Sequence, residues 1–152
     1  MKFSAWAFLL IWLFLAVPAA NPAPADDVEL LRGTWLTVSL VHNGVMVIGE
    51  GAPPLPGPPT KLVYEGNKWM LKSGDKTIAS GTIKIDSTKT PKEIDIMDDS
   101  GVVNAKTKLG IYEINGDIYK YCVAQSGQPR PTEFLSKAGS GYSLTVSKRE
   151  KP

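Results

Sequence analysis

From Thr34 onward, short runs of Val, Ile, Thr and aromatic residues alternate with Gly, Asn, Asp and Pro, and no helical period is sustained. Pairs such as Asn43-Gly44 and Asn115-Gly116 tolerate the positive φ that tight hairpins require. The runs predict strands at Thr34–His42, Val45–Ile48, Lys61–Glu65, Lys68–Leu71, Thr77–Ile85, Glu93–Met97, Val102–Ile114, Ile118–Ala124 and Tyr142–Arg149. Closing such a meander leaves no exposed edge. We therefore expect an all-β fold, a single antiparallel up-and-down β-barrel of about eight strands.

The alternation also predicts which side chains face the interior, because successive residues of a strand point to opposite faces. The expected inward residues are Leu62, Tyr64, Trp69, Leu71, Ile83, Ile85, Ile94, Ile96, Tyr112, Ile114, Tyr119, Tyr121, Val123, Tyr142, Leu144 and Val146, with Ser147 on the opposite face. The first strand is ambiguous. Trp35 shares a face with the polar residues Thr37 and Ser39, whereas the apolar residues Leu36, Val38 and Leu40 lie on the other face. Either a bulge after Trp35 switches the faces, or the strand is covered on both sides.

The start of the chain departs from this pattern. Met1-Lys2 gives a positive start, Phe3–Val17 is almost wholly apolar, and small residues and prolines follow. These are the parts of a secretory signal peptide, and the apolar run falls short of the roughly 20 residues that a membrane-spanning helix needs. Ala23-Pro24-Ala25 fits a cleavage motif, and Val17-Pro18-Ala19 is the competing one.

Domain organisation follows from this leader. We expect a signal peptide over residues 1–25, a barrel domain over residues 26–152, and no stable transmembrane segment after processing. The protein would be exported to the periplasm, the cell envelope or the medium. Within the barrel domain, "DDVELLRG" predicts one short helical turn that Asp26 or Asp27 caps and Gly33 ends.

Charge and composition exclude several classes of protein. The net charge of the whole chain is only +2 and there is no basic stripe, so a nucleic-acid partner is not expected. Cys122 is the only cysteine and His42 the only histidine, which leaves too few ligands for a zinc site and no plausible nucleophile–base pair. The spacing of Asp95, Asp98 and Asp99 departs from that of a calcium loop. We expect no metal, no cofactor and no enzymatic activity.

Several motifs resemble those of known families. "RGTW" after a helical turn, a meander of about eight strands and the terminal "VSKRE" resemble the lipocalin and fatty-acid-binding barrels. The chain is more closely similar to a family of small, uncharacterised lipocalin-like domains of exported planctomycete proteins. The shared segments are "LLRGTW" (30–35), "KLVYEGNKW" (61–69), "GTIKIDSTKTPKEIDI" (81–96), "GIYEINGDIYKYCVA" (110–124), "GQPRPTEF" (127–134) and "LTVSKRE" (144–150).

The resemblance implies a lipocalin-like fold and a way of closing one end of the barrel. In lipocalins the tryptophan of the Gly-x-Trp motif lies on the barrel floor, and a basic residue of the last strand lies over it. The matching residues here are Gly33 and Trp35, together with Arg149 or Lys148. A guanidinium stacks on an indole better than an ammonium does, which favours Arg149, whereas strand parity favours Lys148. The lipocalin-like family has no established activity to transfer.

A binding site can be expected only in outline. If the barrel holds a ligand, the inward aromatics Trp69, Tyr112, Tyr119 and Tyr121 should line it; otherwise these side chains simply fill the core. Arg130, between two prolines in "PRPTEF", should then lie at the rim and bind an anionic head group. The alternative for this loop is a structural latch over the barrel rim that Phe134 anchors.

Two functions remain open at this point. The favoured one is a non-catalytic exported barrel that binds a small apolar or amphipathic ligand. The other is a cell-envelope interaction module with a filled barrel, which would act through its proline-rich and "PRPTEF" loops. An empty apolar interior would favour the first function, and a packed interior the second.

Overall fold

The strands predicted from the alternation form a closed barrel. The computed structural model describes residues 26–99 and 107–151. Within them the elements are α1 (Asp27–Leu31), β1 (Gly33–His42), β2 (Val45–Ile48), β3 (Thr60–Glu65), β4 (Lys68–Ser73), β5 (Lys76–Asp86), β6 (Lys92–Asp98), β7 (Lys108–Asn115), β8 (Ile118–Ala124) and β9 (Tyr142–Arg149). The expected signal peptide (residues 1–25) and the start of the strand expected over 102–114 lie outside the described residues.

Neighbouring strands pair antiparallel throughout, in the order β2-β1-β3-β4-β5-β6-β7-β8-β9, and β1 also pairs with β9. This last pairing closes the barrel, with Trp35 opposite Arg149 at one end and His42 opposite Ser143 at the other. The first part of β1 pairs with β3 and its last part with β2, so β2 is an extra strand beside the eight of the barrel. The expected all-β antiparallel barrel is therefore confirmed.

A β-bulge explains the mixed pattern of β1. The pairing with β9 shifts between Thr37 and Ser39, which leaves Val38 as the extra residue. Trp35 is buried before the bulge and Leu40 lines the interior after it, so the inward set passes from odd to even positions. Of the two alternatives for this strand, the bulge is the correct one.

The inward residues expected for β3 to β8 form the core or pack against it. The expectation for β9 was wrong. Thr145 and Ser147 are buried on the inner face, opposite Tyr121 and Tyr119, while Leu144 lies opposite Cys122 on the outer face. Side chains of β9 do alternate between the two faces, as expected. The prediction assumed that the outer face is exposed to solvent, whereas a long segment covers it.

That cover is the outer segment, residues 125–141, which has no regular secondary structure. It runs along the outside of the barrel, where Pro131 is fully buried and shares a crevice with Ile111 of β7. The Cys122 thiol is fully buried there and lies 3.6 Å from the carbonyl oxygen of Leu135. The protein thus has a second, smaller apolar core outside the barrel wall.

Candidate ligand-binding cavity

One end of the barrel, the closed end, is sealed by α1, Trp35 and Arg149. A helix leaves its last carbonyls without partners inside the helix. Here the Trp35 Nε1 donates to the carbonyl of Leu31 at 2.7 Å, and the Arg149 guanidinium donates to the carbonyls of Leu30 at 2.6 Å and Arg32 at 2.8 Å. The same guanidinium lies 4.0 Å from the Trp35 ring centroid, so Arg149 rather than Lys148 covers the indole. Gly33 begins β1 with a φ of 112°, which an L side chain rarely adopts.

A buried carboxylate fixes the other end of α1. Asp27 accepts hydrogen bonds from the Tyr112 hydroxyl at 2.8 Å and from the Lys92 ammonium at 2.7 Å. Burial, together with this hydrogen bond to Asp27, raises the pKa of Tyr112 well above its ordinary value, so the phenol stays protonated and donates. Tyr112 therefore belongs to the closed end, where its hydroxyl holds the helix.

Aromatic rings fill the barrel above α1. Tyr119 lies 5.5 Å from Trp35, 5.9 Å from Tyr64 and 4.9 Å from Tyr121, measured between ring centroids. The hydroxyls of Tyr64 and Tyr119 are 3.1 Å apart. Burial raises the pKa of all three tyrosines, and the neighbouring phenols of Tyr64 and Tyr121 raise the pKa of Tyr119 further. This half of the interior is packed, and Tyr119 is part of the packing.

The other half of the interior contains a cavity of about 420 Å³ that opens at the opposite end, the open end. Most of its wall is aliphatic or aromatic, with hydroxyls among the apolar groups. The lining residues are Thr37, Leu40, Ile48, Leu55, Thr60, Leu62, Tyr64, Trp69, Leu71, Ile96, Asp98, Lys108, Tyr121, Val123, Ser143 and Thr145. Of the four aromatics expected to line a ligand, Trp69 and Tyr121 line this cavity, whereas Tyr112 and Tyr119 lie below it.

The orientation of Trp69 depends on a glycine in the neighbouring strand. Its Nε1 donates to the carbonyl of Met97 at 3.2 Å, across Gly81. A Cβ at position 81 would overlap the Met97 carbonyl oxygen and lie 2.8 Å from the Trp69 Nε1. Gly81 is therefore needed for the close approach that holds the indole against the cavity wall.

An ion pair lies at the mouth of the cavity. The Lys108 ammonium at the start of β7 is 2.9 Å from the Asp98 carboxylate at the end of β6, and both residues line the cavity. Leu55, from the proline-rich loop, forms part of the opposite wall although about half of it is exposed to solvent. Sequence reasoning missed these three residues. Asp98 lay just beyond the strand expected over Glu93–Met97, and Lys108 lay in the middle of the strand expected over Val102–Ile114. Leu55 belongs to a loop.

Arg130 does not lie at the rim of the cavity, and this expectation is corrected. Its guanidinium contacts Asp95 at 2.6 Å and Glu93 at 3.5 Å on the outer face of β6. It also donates to the carbonyls of Ile94 at 3.0 Å and Gly110 at 2.6 Å. The loop was long enough to reach the mouth, but the two outward carboxylates hold it against the barrel wall. The latch alternative is closer to the observed arrangement, although the latch lies on the wall rather than over the rim.

The other two reactive side chains that the sequence singles out, His42 and Cys122, lie in different parts of the barrel. His42 Nδ1 is 2.8 Å from the Ser143 hydroxyl at the open end, and Cys122 lies under the outer segment. Over residues 26–99 and 107–151, His, Cys, Asp and Glu side chains form no group of three or more that could hold a metal ion. The same residues contain no helix long and apolar enough to cross a membrane.

Comparisons with known proteins return no relatives: no family model, no curated protein and no solved structure matches this chain. The resemblance to lipocalin-like domains therefore stays a prediction, and the properties of the cavity itself must support any function.

Proposed function

We propose that this protein is a non-catalytic barrel that binds one small apolar or amphipathic molecule in its open half. The observation that carries the proposal is the 420 Å³ cavity, with its mainly apolar wall and a few polar groups. Protein pockets for small molecules usually measure about 300–1,000 Å³ and share this composition. Because this cavity is near the small end of that range of pocket volumes, we expect a small ligand.

The energetic basis of binding is the burial of hydrocarbon. Each CH₂ group removed from water contributes about 0.8 kcal/mol. Leu62, Leu71 and Ile96 lie on three strands of one closed barrel and line the cavity. Because each strand is hydrogen-bonded to a neighbour on both sides, these side chains hold their positions before a ligand binds. Binding therefore costs the protein little conformational entropy.

The alternative function, an envelope interaction module, required a filled barrel. Only the closed half is filled, and the outer segment is bound to its own barrel through Arg130 and Pro131. Both observations favour ligand binding. Export of the protein stays a prediction from residues 1–25.

The test is a titration with decanoic acid, decanol and methyl decanoate, which share one hydrocarbon chain. In the described residues Trp35 lies in the floor and Trp69 in the cavity wall, so tryptophan fluorescence should report on binding. We expect a saturable change with at least one compound. Val123→Phe, which fills the cavity, should abolish it. Val63→Phe makes the same change between two inward residues, Leu62 and Tyr64, and should bind normally. Binding that survives Val123→Phe, or no saturable change at all, would contradict the proposal.

A further inference from the structure

The charged groups in the cavity wall cancel each other. Asp98 and Lys108 are the only charged residues in its lining among residues 26–99 and 107–151, and they pair at 2.9 Å. The Asp98 side chain is 26% exposed and that of Lys108 is 40% exposed, which places the pair at the mouth rather than inside. A charged ligand would therefore meet a neutral pair and no free counter-ion.

Other cations are held away from the cavity. Arg130 binds two carboxylates on the outer face, Arg149 binds the carbonyls of α1, and Lys92 binds Asp27 at the closed end. None of the three lines the cavity. Releasing any of them would leave a carboxylate or a carbonyl without its partner, which costs free energy when the group is shielded from water.

Apart from the Asp98–Lys108 pair and the Trp69 indole, the polar side chains in the cavity wall carry hydroxyls. Thr37, Thr60, Tyr64, Tyr121, Ser143 and Thr145 contribute them. Tyr64 and Thr145 are buried, and Tyr121 shares a side-chain hydrogen bond with Thr145. Because burial raises the pKa of both tyrosines, their phenols stay neutral and can both donate and accept. The inner end of the cavity is thus polar but uncharged.

We propose that the natural occupant of the cavity is an uncharged amphipathic molecule, a hydrocarbon that carries a hydroxyl, carbonyl or ester group. This inference rests on the proposed binding function and names the class of its ligand. The polar group faces Tyr121 and Thr145, and the hydrocarbon packs against Leu62, Leu71 and Ile96. An ionised head group would lose its hydration without gaining a counter-ion, which costs far more than burying a hydroxyl that finds a hydrogen bond. The expectation that an anion would bind through Arg130 is thereby reversed.

The first experiment compares decanol with decanoic acid near pH 7, where the acid is ionised. We expect decanol to bind at least about tenfold more tightly than decanoate, because only the anion loses a charged hydration shell. Tyr121→Phe and Thr145→Val should each weaken decanol binding about five- to tenfold, the effect of losing one hydrogen bond. Urea unfolding of both variants checks that they are folded.

A second variant tests the ion pair directly. Asp98→Asn leaves the Lys108 ammonium without its counter-ion, so decanoate can bind with its carboxylate at the mouth beside Lys108, and its affinity should rise about tenfold relative to that of decanol. Asp75→Asn makes the same change in net charge at the exposed β4–β5 turn and should leave both affinities unchanged. This pair separates a local effect at the mouth from a general effect of charge.

The outcomes distinguish this inference from the function on which it rests. Decanoate that binds the unmodified protein as tightly as decanol, and is lost in Val123→Phe, would overturn the neutral-ligand inference and leave the binding function intact. An unchanged decanoate affinity in Asp98→Asn would also count against it. Failure of all three compounds to bind would overturn both proposals together.

Discussion

Trp35 makes three different contacts at the closed end of the barrel. Its ring packs against the Tyr119 ring and the Arg149 guanidinium. Its Nε1 binds the Leu31 carbonyl, which the short helix cannot satisfy itself. Because the residue is fully buried, each contact is made away from water. One side chain thus joins the helix, the aromatic interior and the last strand.

Replacing this residue should therefore be costly. We expect Trp35→Ala to lower the free energy of unfolding by about 3–5 kcal/mol, since it removes a buried aromatic and leaves a cavity. Trp35→Phe keeps a ring but leaves the Leu31 carbonyl without its donor, and should cost about 1–3 kcal/mol. Urea unfolding, followed by circular dichroism, measures both. A loss below about 1 kcal/mol for the alanine variant would mean that Trp35 does not hold the closed end together.

For single residues, the sequence predicted correctly which side chains of β3 to β8 point into the barrel, but it did not predict their level along the barrel axis. Trp69, Tyr112, Tyr119 and Tyr121 all point inward, as the period of two requires. Only Trp69 and Tyr121 lie at the level of the cavity, because the level depends on strand register and tilt, which alternation does not encode. Arg130 was misplaced because a loop can lie on either side of a wall.

The outer segment (residues 125–141) stabilises the wall from outside. Arg130 is its main polar contact, with hydrogen bonds to backbone carbonyls of β6 and β7 as well as to Asp95. Beneath the segment, burial raises the pKa of the Cys122 thiol above its ordinary value. The thiol is thus both inaccessible and protonated while the segment stays in place, so its reactivity reports on the position of the segment.

Weakening the latch should expose this thiol. We expect Cys122 in the folded protein to react slowly with thiol reagents, and Arg130→Ala to increase the rate about tenfold or more by favouring local opening. Lys137→Ala removes an exposed ion pair with Glu133 from the same segment and should leave the rate unchanged. Equal rates in the unmodified protein and in Arg130→Ala would show that Arg130 does not hold the segment down.

The elements themselves were largely predictable. Most strand bounds agree closely because Gly, Asn and Asp mark the hairpins, and positive φ values are present at Asn43, Gly44, Gly66 and Gly116. The exception is β7, which begins at Lys108, since Thr107 lies outside the strand although the expected range included it. The bulge at Val38 could only be suspected, since a register shift depends on the partner strand. The inner and outer faces of β9 were exchanged in the prediction, because the apolar residues Leu144 and Val146 resemble core residues. The segment that covers them has no strand or helix period from which its position could be predicted.

Over the whole molecule, the buried tyrosines couple stability to pH. The pKa values of Tyr64, Tyr112, Tyr119 and Tyr121 are all raised in the folded state, chiefly by burial. A group whose pKa is raised on folding stabilises the protein below its unfolded pKa, and that stability is lost as the pH rises above it. In the unfolded chain these phenols lose their protons near pH 10, while the folded state retains them.

We therefore expect the free energy of unfolding to fall steeply between about pH 10 and 12, by up to about 1.4 kcal/mol per pH unit for each of these tyrosines. Urea unfolding over a series of alkaline buffers measures the slope, and ultraviolet absorbance of tyrosinate follows the phenols. Tyr119→Phe removes one such group and should reduce the slope by up to about 1.4 kcal/mol per pH unit. A flat profile, or ionisation of these phenols in the folded state near pH 10, would contradict the expectation.

The pairing of β1 with β9 also has a topological consequence. Residue 33 begins the first strand and residue 149 ends the last one, and both lie at the closed end, where Trp35 faces Arg149. A short linker could therefore join the two ends of the folded domain into a ring, while new ends are opened at the exposed Gly74-Asp75 turn. Such a circular permutant would keep every strand neighbour, and a partner fused to its new ends would stand beside the cavity mouth instead of beneath the floor.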